Sequence, residues 1–341
     1  MQVKKSISRA ARVLLAGAGL ALAANASANA TGKQILCVWD VTGTQGDVFN
    51  MMKDYKLAAA RWGANLELRP YTDEKIASED FKAGQCDAVM MTGLRGRQFN
   101  SFTGSLDSLG AMPAYEHVRQ VLATLTKPGA AQLMVSGNYE VGGIAPMGAA
   151  YLFVNDRAIN NVGKLSGKKV AVLDYDKAQA KMAQKVGMQP VASDITNFAG
   201  KFNNGSVDIV GAPAAAFKPL ELFKGLGTKG AIVQFPLVQI SLQLYLRKDR
   251  FPEGFGQKSR EYMFSQYERA MKLVATAEKD IDKKYWMQIP PADQDKYMQM
   301  IRESRIALTN EGIYDKRAMK MLKQVRCKVT PAEAECSQNL E

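Results

Sequence analysis

The sequence predicts an α/β chain of two lobes followed by a helical C-terminal region. Short apolar runs alternate with amphipathic helical stretches between Ile35 and Met91, the pattern of strands joined by crossover helices. The same plan returns between Val170 and Val210 without repeating the sequence. From Gln257 onward the apolar residues fall at helical spacing and the strand pattern stops. With 341 residues, 47% hydrophobic and 23% charged, the chain has material for up to about two domains around a large core.

The N-terminus reads as an export signal. Lys4, Lys5, Arg9 and Arg12 precede the apolar run Val13–Ala24, and Ala28-Asn29-Ala30 supplies a small-residue cleavage site, with cuts after Ala26 or Ala28 as rivals. The run is too short to span a bilayer. Residues 1–30 are therefore expected to be removed, leaving a soluble periplasmic protein. With those four cations gone, the formal charge falls from +12 to +8. The remaining Lys and Arg form no dense block beyond pairs such as Lys168-Lys169 and Lys283-Lys284, which argues against a nucleic-acid partner.

The first lobe is expected over 31–147. Ile35–Val41 is nearly continuously apolar, as a buried parallel strand requires. Val48, Met52, Tyr55, Ala59 and Trp62 then share one helical face that Gly63 ends. Asn65–Arg69 alternates as a strand, Glu74–Lys82 forms a short helix, and Asp87–Met91 is the third strand. The second lobe, 148–240, has strands at Val170–Leu173 and Val207–Val210 around a helix through Ala178–Val186 that ends at Gly187. Pro190-Val191 starts a further extended piece, and Ala231–Phe235 is apolar again. Ile240–Arg247 alternates cleanly and is expected to return the chain to the first lobe, so that 241–341 adds this strand and the C-terminal helices. The crossings between lobes are placed near Ala145–Ala150 and Gln239–Leu242.

Four cysteines in an exported chain predict two disulfides. Cys37 and Cys86 belong to strands of one sheet and are expected to pair, leaving Cys327 and Cys336 to staple the tail. One histidine and no Cys-x-x-Cys make a zinc site improbable, and neither metal nor cofactor is expected. Enzymatic motifs are absent: there is no Gly-x-Ser-x-Gly, Walker loop or Gly-x-Gly-x-x-Gly. His117, in Ala114-Tyr-Glu-His-Val118, reads as a surface or capping residue at a helix start rather than a general base.

Ligands of open α/β sheets sit beyond the carboxyl ends of the strands, and interlobe clefts are favoured sites. Trp39, Asp40 and Thr42 follow the first strand; Thr92, Arg95 and Arg97 follow the third; Asp174, Tyr175 and Asp176 follow Val170–Leu173; Pro213 follows Val207–Val210. These ten are the candidate ligand-binding residues. Each has a plainer reading beside it: Trp39 as core, the arginines as solvated loop, the aspartates as helix caps.

These features together resemble the extracytoplasmic solute-binding proteins of the TRAP (DctP-like) type. The resemblance is carried by Phe81-Lys-Ala-Gly-Gln-Cys-Asp-Ala88, by Leu165-Ser-Gly-Lys-Lys-Val170 followed by Gly187-Met-Gln-Pro-Val191, Asn204-Gly-Ser-Val-Asp208 and Ala212-Pro213, and by Trp286-Met-Gln-Ile-Pro290. It implies a two-lobed periplasmic binding protein type II-like fold, and capture of a small polar solute by a monomer that presents it to an inner-membrane transporter or sensor. In that family an arginine in the strand after the Gly-Lys-Lys turn clamps a substrate carboxylate. Here that strand reads Val170-Ala171-Val172, so the anchor would fall to Arg95 or Arg97, or the aspartates would select a cationic ligand.

The chain also resembles the AdeT-type proteins, which are linked to RND efflux and aminoglycoside resistance. A pump needs many membrane spans, and a periplasmic adaptor needs a long heptad hairpin; the mature sequence has neither. An efflux-associated accessory acting by drug or partner binding is the alternative reading, and an enzyme on the same scaffold is the second.

Overall fold

The computed structural model describes residues 32–341; the expected signal peptide lies outside the described residues. Its strands are β1 (Lys33–Trp39), β2 (Asn65–Tyr71), β3 (Ala88–Thr92), β4 (Val135–Ser136), β5 (Tyr139–Val154), β6 (Lys169–Leu173), β7 (Gln189–Ser193), β8 (Ile209–Pro213), β9 (Ala231–Arg247) and β10 (Trp286–Met287). They join in the order β2-β1-β3-β9-β5-β8-β6-β7, with β10 added to β9 and β4 to β5.

At each end of the sheet lies a parallel three-stranded unit. In the first, β1 pairs in parallel with β2 and β3. Helix Asp47–Ala60 covers it by burying Phe49, Met52, Tyr55 and Ala59, and Asp73 caps the next helix, Glu74–Lys82, by accepting from the Lys75 and Ile76 N–H groups. In the second, β6 pairs in parallel with β7 and β8, and Asp176 caps helix Lys177–Lys185. Strand β8 runs through Pro213, which pairs with Ala150. The sequence pattern ended this strand at Val210, because Gly211-Ala-Pro213 reads as a turn.

Two long antiparallel strands, β5 and β9, join the units. The C-terminal part of β9 pairs with β3, and the C-terminal part of β5 pairs with β8. Each strand thus belongs to both halves. The ladder between them shifts register between Val141 and Gly143, Pro146 and Gly148, and Ala150 and Leu152. Such bulges bend and twist a strand pair locally, and the last two lie in the middle of β5. The sheet is therefore mixed, not wholly parallel as the strand–helix alternation suggested.

The C-terminal region is helical, with helices Phe255–Ser265, Tyr267–Lys279, Pro291–Asn310 and Lys316–Val329. The first two pack on β5, burying Met263, Tyr267, Ala270 and Val274. The break between them at Gln266 interrupts what reads in sequence as one stripe. Helix Pro291–Asn310 starts at the Pro290-Pro291 pair and buries Tyr297, Ile301 and Leu308. Both disulfides form as the sequence suggested, Cys37–Cys86 and Cys327–Cys336. Cys86 precedes β3 instead of opening it. No described helix is long and apolar enough to cross a membrane.

Candidate functional site

A cavity of ≈ 130 Å³ lies where the two units face each other. Trp39, Thr92, Leu94 and Leu109 contribute from the first lobe; Val170 to Leu173, Tyr175, Gln179, Met182, Ile195, Phe198 and Pro213 from the second. Met147, Leu152, Leu237, Val238 and Ile240 come from the crossing strands. A second chamber of ≈ 230 Å³ shares Trp39 and Met147 with the first. Its wall includes Asp40, Thr42, Met51, Met52 and Met90, with Ala270, Leu273, Val274 and Ala277 of the helical region. Trp39 is 2% exposed, and its indole Nε1–H has no hydrogen-bond partner.

Charged groups at the edge of these chambers are bound to one another. Asp40 accepts from the Thr42 N–H at 3.0 Å and the Thr42 hydroxyl at 2.8 Å. It also accepts from the Val48 and Phe49 N–H groups at the N-terminus of helix Asp47–Ala60, where a carboxylate meets the positive end of the helix dipole. Glu74 is fully buried. It accepts from the Thr92 N–H at 2.8 Å, the Thr92 hydroxyl at 2.6 Å, Arg95 Nε at 3.1 Å and the Tyr175 hydroxyl at 3.2 Å. The Arg95 guanidinium stacks 3.6 Å from the centre of the Tyr175 ring. Burial, and then the Glu74 charge, push the Tyr175 hydroxyl well above the usual phenol range, so it stays a donor.

A second ion pair crosses the seam. Arg97 Nη1 donates to Asp176 Oδ1 at 3.1 Å, its Nε donates to the Gly104 carbonyl, and its guanidinium lies 5.2 Å from the Tyr314 ring centre. Behind this pair, Asp107 accepts from the Ser241 N–H and hydroxyl on β9. Burial pushes its carboxyl up to about 7, against the lowering effect of the Ser241 bonds.

The ten sequence candidates thus separate. Trp39, Thr92, Tyr175 and Pro213 line the first cavity, and Asp40 and Thr42 line the second chamber. Arg95 and Arg97 face an open groove beside the seam together with Tyr175 and Lys177. Asp176 is a buried cap and ion-pair partner, while Asp174 is exposed and lines neither chamber. The lining from the crossing strands, above all Met147, Leu237 and Ile240, was not anticipated. The alternation in Ile240–Arg247 signals a strand but not which of its faces meets a cavity.

His117 is a correction. It is 5% exposed, not a surface residue, because helix Tyr115–Thr126 is held down by its apolar face and by the C-terminal segment. It lines a separate cavity of ≈ 500 Å³ with Arg302, Arg305, Arg326 and Glu335. Burial holds its imidazole below the usual histidine range, with the Arg326 charge adding in the same direction. Among the described residues, no group of three or more His, Cys, Asp or Glu side chains is placed to hold a metal ion.

Two α/β units joined by crossing strands, with cavities between them, define a two-lobed binding protein of the periplasmic type. The chain belongs to the solute-binding protein AdeT 1/2 family, whose model matches residues 56–341. It is 53% identical over 304 residues to the probable solute-binding protein AdeT1 of Acinetobacter baumannii, covering 89% of this chain and all of that one. The fold is also that of TRAP periplasmic solute-binding proteins. One from Desulfovibrio salexigens, with bound orotic acid, superposes with a TM-score of 0.72 at 13% identity, over 87% of this chain and 99% of that one. Another, from Ralstonia eutropha H16 with bound (S)-2-acetolactate, gives 0.72 at 12% identity over the same shares.

Proposed function

We propose that this chain is an exported, periplasmic, monomeric protein that captures a small solute between its lobes and presents it to an inner-membrane transporter or sensor, without itself catalysing a reaction. The observation that carries the reading is the cavity walled by both lobes and by the crossing strands, with Trp39 and Thr92 on one side and Tyr175 and Pro213 on the other. A ligand touching both sides stabilises the closed arrangement over an open one by its differential contacts. The register shifts at 146–152 of β5 supply the hinge, between a first lobe of residues 31–147 and a second of 148–240, with 241–341 returning to the first.

The test is a thermal-shift screen of the mature chain against organic acids, amino acids, sugars, polyamines, aminoglycosides and neutral aromatics, followed by small-angle scattering with each hit. A saturating ligand raises the melting temperature by mass action, about 2.7 kcal/mol at a hundredfold excess over Kd, and contracts the radius of gyration. Absence of any stabilising solute, together with capture of an envelope protein by the tagged chain, overturns the reading in favour of the efflux-associated accessory.

A further inference from the structure

We infer that the interlobe cavity takes an uncharged, largely apolar molecule of about one ring that carries a hydrogen-bond acceptor, and that Trp39 positions it. The inference rests on the solute-capture reading and names the class of solute.

The walls contain no uncompensated charge. Arg95 is paired with Glu74 and Arg97 with Asp176, so the charge of each arginine is compensated, and both line the open groove beside the seam, not the cavity wall; the one Arg97 nitrogen without a partner, Nη2, belongs to that groove residue. The strand facing them presents Val170, Ala171 and Val172. A carboxylate placed here would be buried without a counter-charge, which is strongly unfavourable. Most polar groups on the wall are already engaged: the Thr92 and Tyr175 hydroxyls donate to Glu74, and Gln179 Oε1 accepts from the Leu173 N–H, which leaves the neutral Gln179 Nε2 as a donor.

Trp39 adds a donor that is fully buried. Trp39 lines both chambers, is 2% exposed, and has an indole N–H with no partner. An indole nitrogen only donates, and an orphaned buried donor is costly. A ligand acceptor such as a carbonyl or ether oxygen satisfies it; an ammonium group does not. The volumes fit: a dry apolar cavity of about 150 Å³ holds benzene, and chambers of ≈ 130 and ≈ 230 Å³ are both lined by Trp39. The carboxylates of the second chamber bear on a cationic rival. Asp40 already accepts four hydrogen bonds, whereas Asp47 is exposed at the edge.

The experiment is calorimetric titration of the mature chain with three matched probes, acetophenone, benzoate and ethylbenzene, and with spermidine. Acetophenone is expected to bind at least about tenfold more tightly than benzoate, and about five- to tenfold more tightly than ethylbenzene, which fills the same space without an acceptor. In Trp39→Phe the preference over ethylbenzene disappears while ethylbenzene binding persists, which also shows that the variant is folded. In the unmodified protein, acetophenone shifts the Trp39 Hε1 resonance downfield and ethylbenzene does not. Preferred binding of benzoate or spermidine overturns the inference and leaves solute capture standing. Equal binding of acetophenone and ethylbenzene overturns the role of Trp39. Failure of all four probes overturns the assigned class, and the wider screen above then decides whether solute capture falls with it.

Discussion

The Arg97–Asp176 pair is expected to contribute more than an ordinary surface ion pair, because its carboxylate is almost wholly buried. The two side chains are 15% and 3% exposed. Asp176 Oδ1 serves two donors, Arg97 Nη1 and the Ala178 N–H, each at 3.1 Å. Asp176→Asn keeps an oxygen for the cap and removes only the charge, so it is expected to cost about 2 kcal/mol, the range for a hydrogen bond to a charged group. Asp176→Ala also removes the cap and is expected to cost about 1 kcal/mol more. A cycle with Arg97→Met, read by urea unfolding at pH 8, should give a coupling of about 1.5–3 kcal/mol. Because the pair joins one lobe to the other, its loss should also enlarge the radius of gyration in solution. An internal check comes from Asp107, whose proton affinity is raised by the Asp176 charge; its titration should move to lower pH in Asp176→Asn. A coupling below about 0.5 kcal/mol, the value typical of exposed pairs, would refute the argument from burial.

Other expectations concern single groups. Asp107 has its carboxyl raised from 3.8 to about 7, so the folded state holds a proton the unfolded chain releases. The associated stability is fully present below about pH 4 and is lost as pH rises to about 7, by at most about 4 kcal/mol. Asp107→Asn should flatten that slope in urea unfolding between pH 4 and 8 and raise stability at pH 8; an unchanged slope would place the titration elsewhere. Replacing Cys37 and Cys86 together by serine opens a link across 49 residues and should cost up to about 4 kcal/mol, against roughly 2.5 kcal/mol for Cys327 and Cys336, whose separation is 9. Chemical denaturation of both double variants checks the order. His117→Ala should leave solute binding by calorimetry unchanged, since His117 lines neither interlobe chamber; loss of a turnover activity in that variant would instead support an enzyme.

The parts of the fold that were legible in the sequence are those in which one element follows its own periodicity. Helix Glu74–Lys82 has the expected ends, because Asp73 caps it and its apolar face is regular. Strand β5 went unread for a physical reason. Its run Gly142-Gly143-Ile-Ala-Pro146-Met-Gly148 carries the residues that ordinarily mark a loop. In the fold they answer to tertiary contacts. A Cβ on Gly143 would lie 2.2 Å from Met263 of the helix packed above it, and Gly148 adopts a φ of +104° beside a bulge. Pro236, which falls between the two stretches Ala231–Phe235 and Ile240–Arg247, sits in the part of β9, 234–237, where the ladder to β5 is interrupted, so no strand hydrogen bond to β5 is lost there.

The same distinction explains the site. Strand ends mark where a cleft opens, and Trp39, Thr92, Tyr175 and Pro213 were found that way. Whether a charged residue near a strand end faces a ligand or another residue depends on partners distant in the chain. Glu74 lies 21 residues before Arg95, and Asp176 lies 79 after Arg97. Neither partner is marked by any local pattern near the arginine it neutralises. With both pairs formed the charge of each arginine is compensated, and the cavity wall beside the indole N–H of Trp39 carries no charged side chain. The selectivity proposed for the cavity therefore follows from which charges cancel beside it, and the Arg97–Asp176 cycle and the acetophenone titration probe the same arrangement from its two sides.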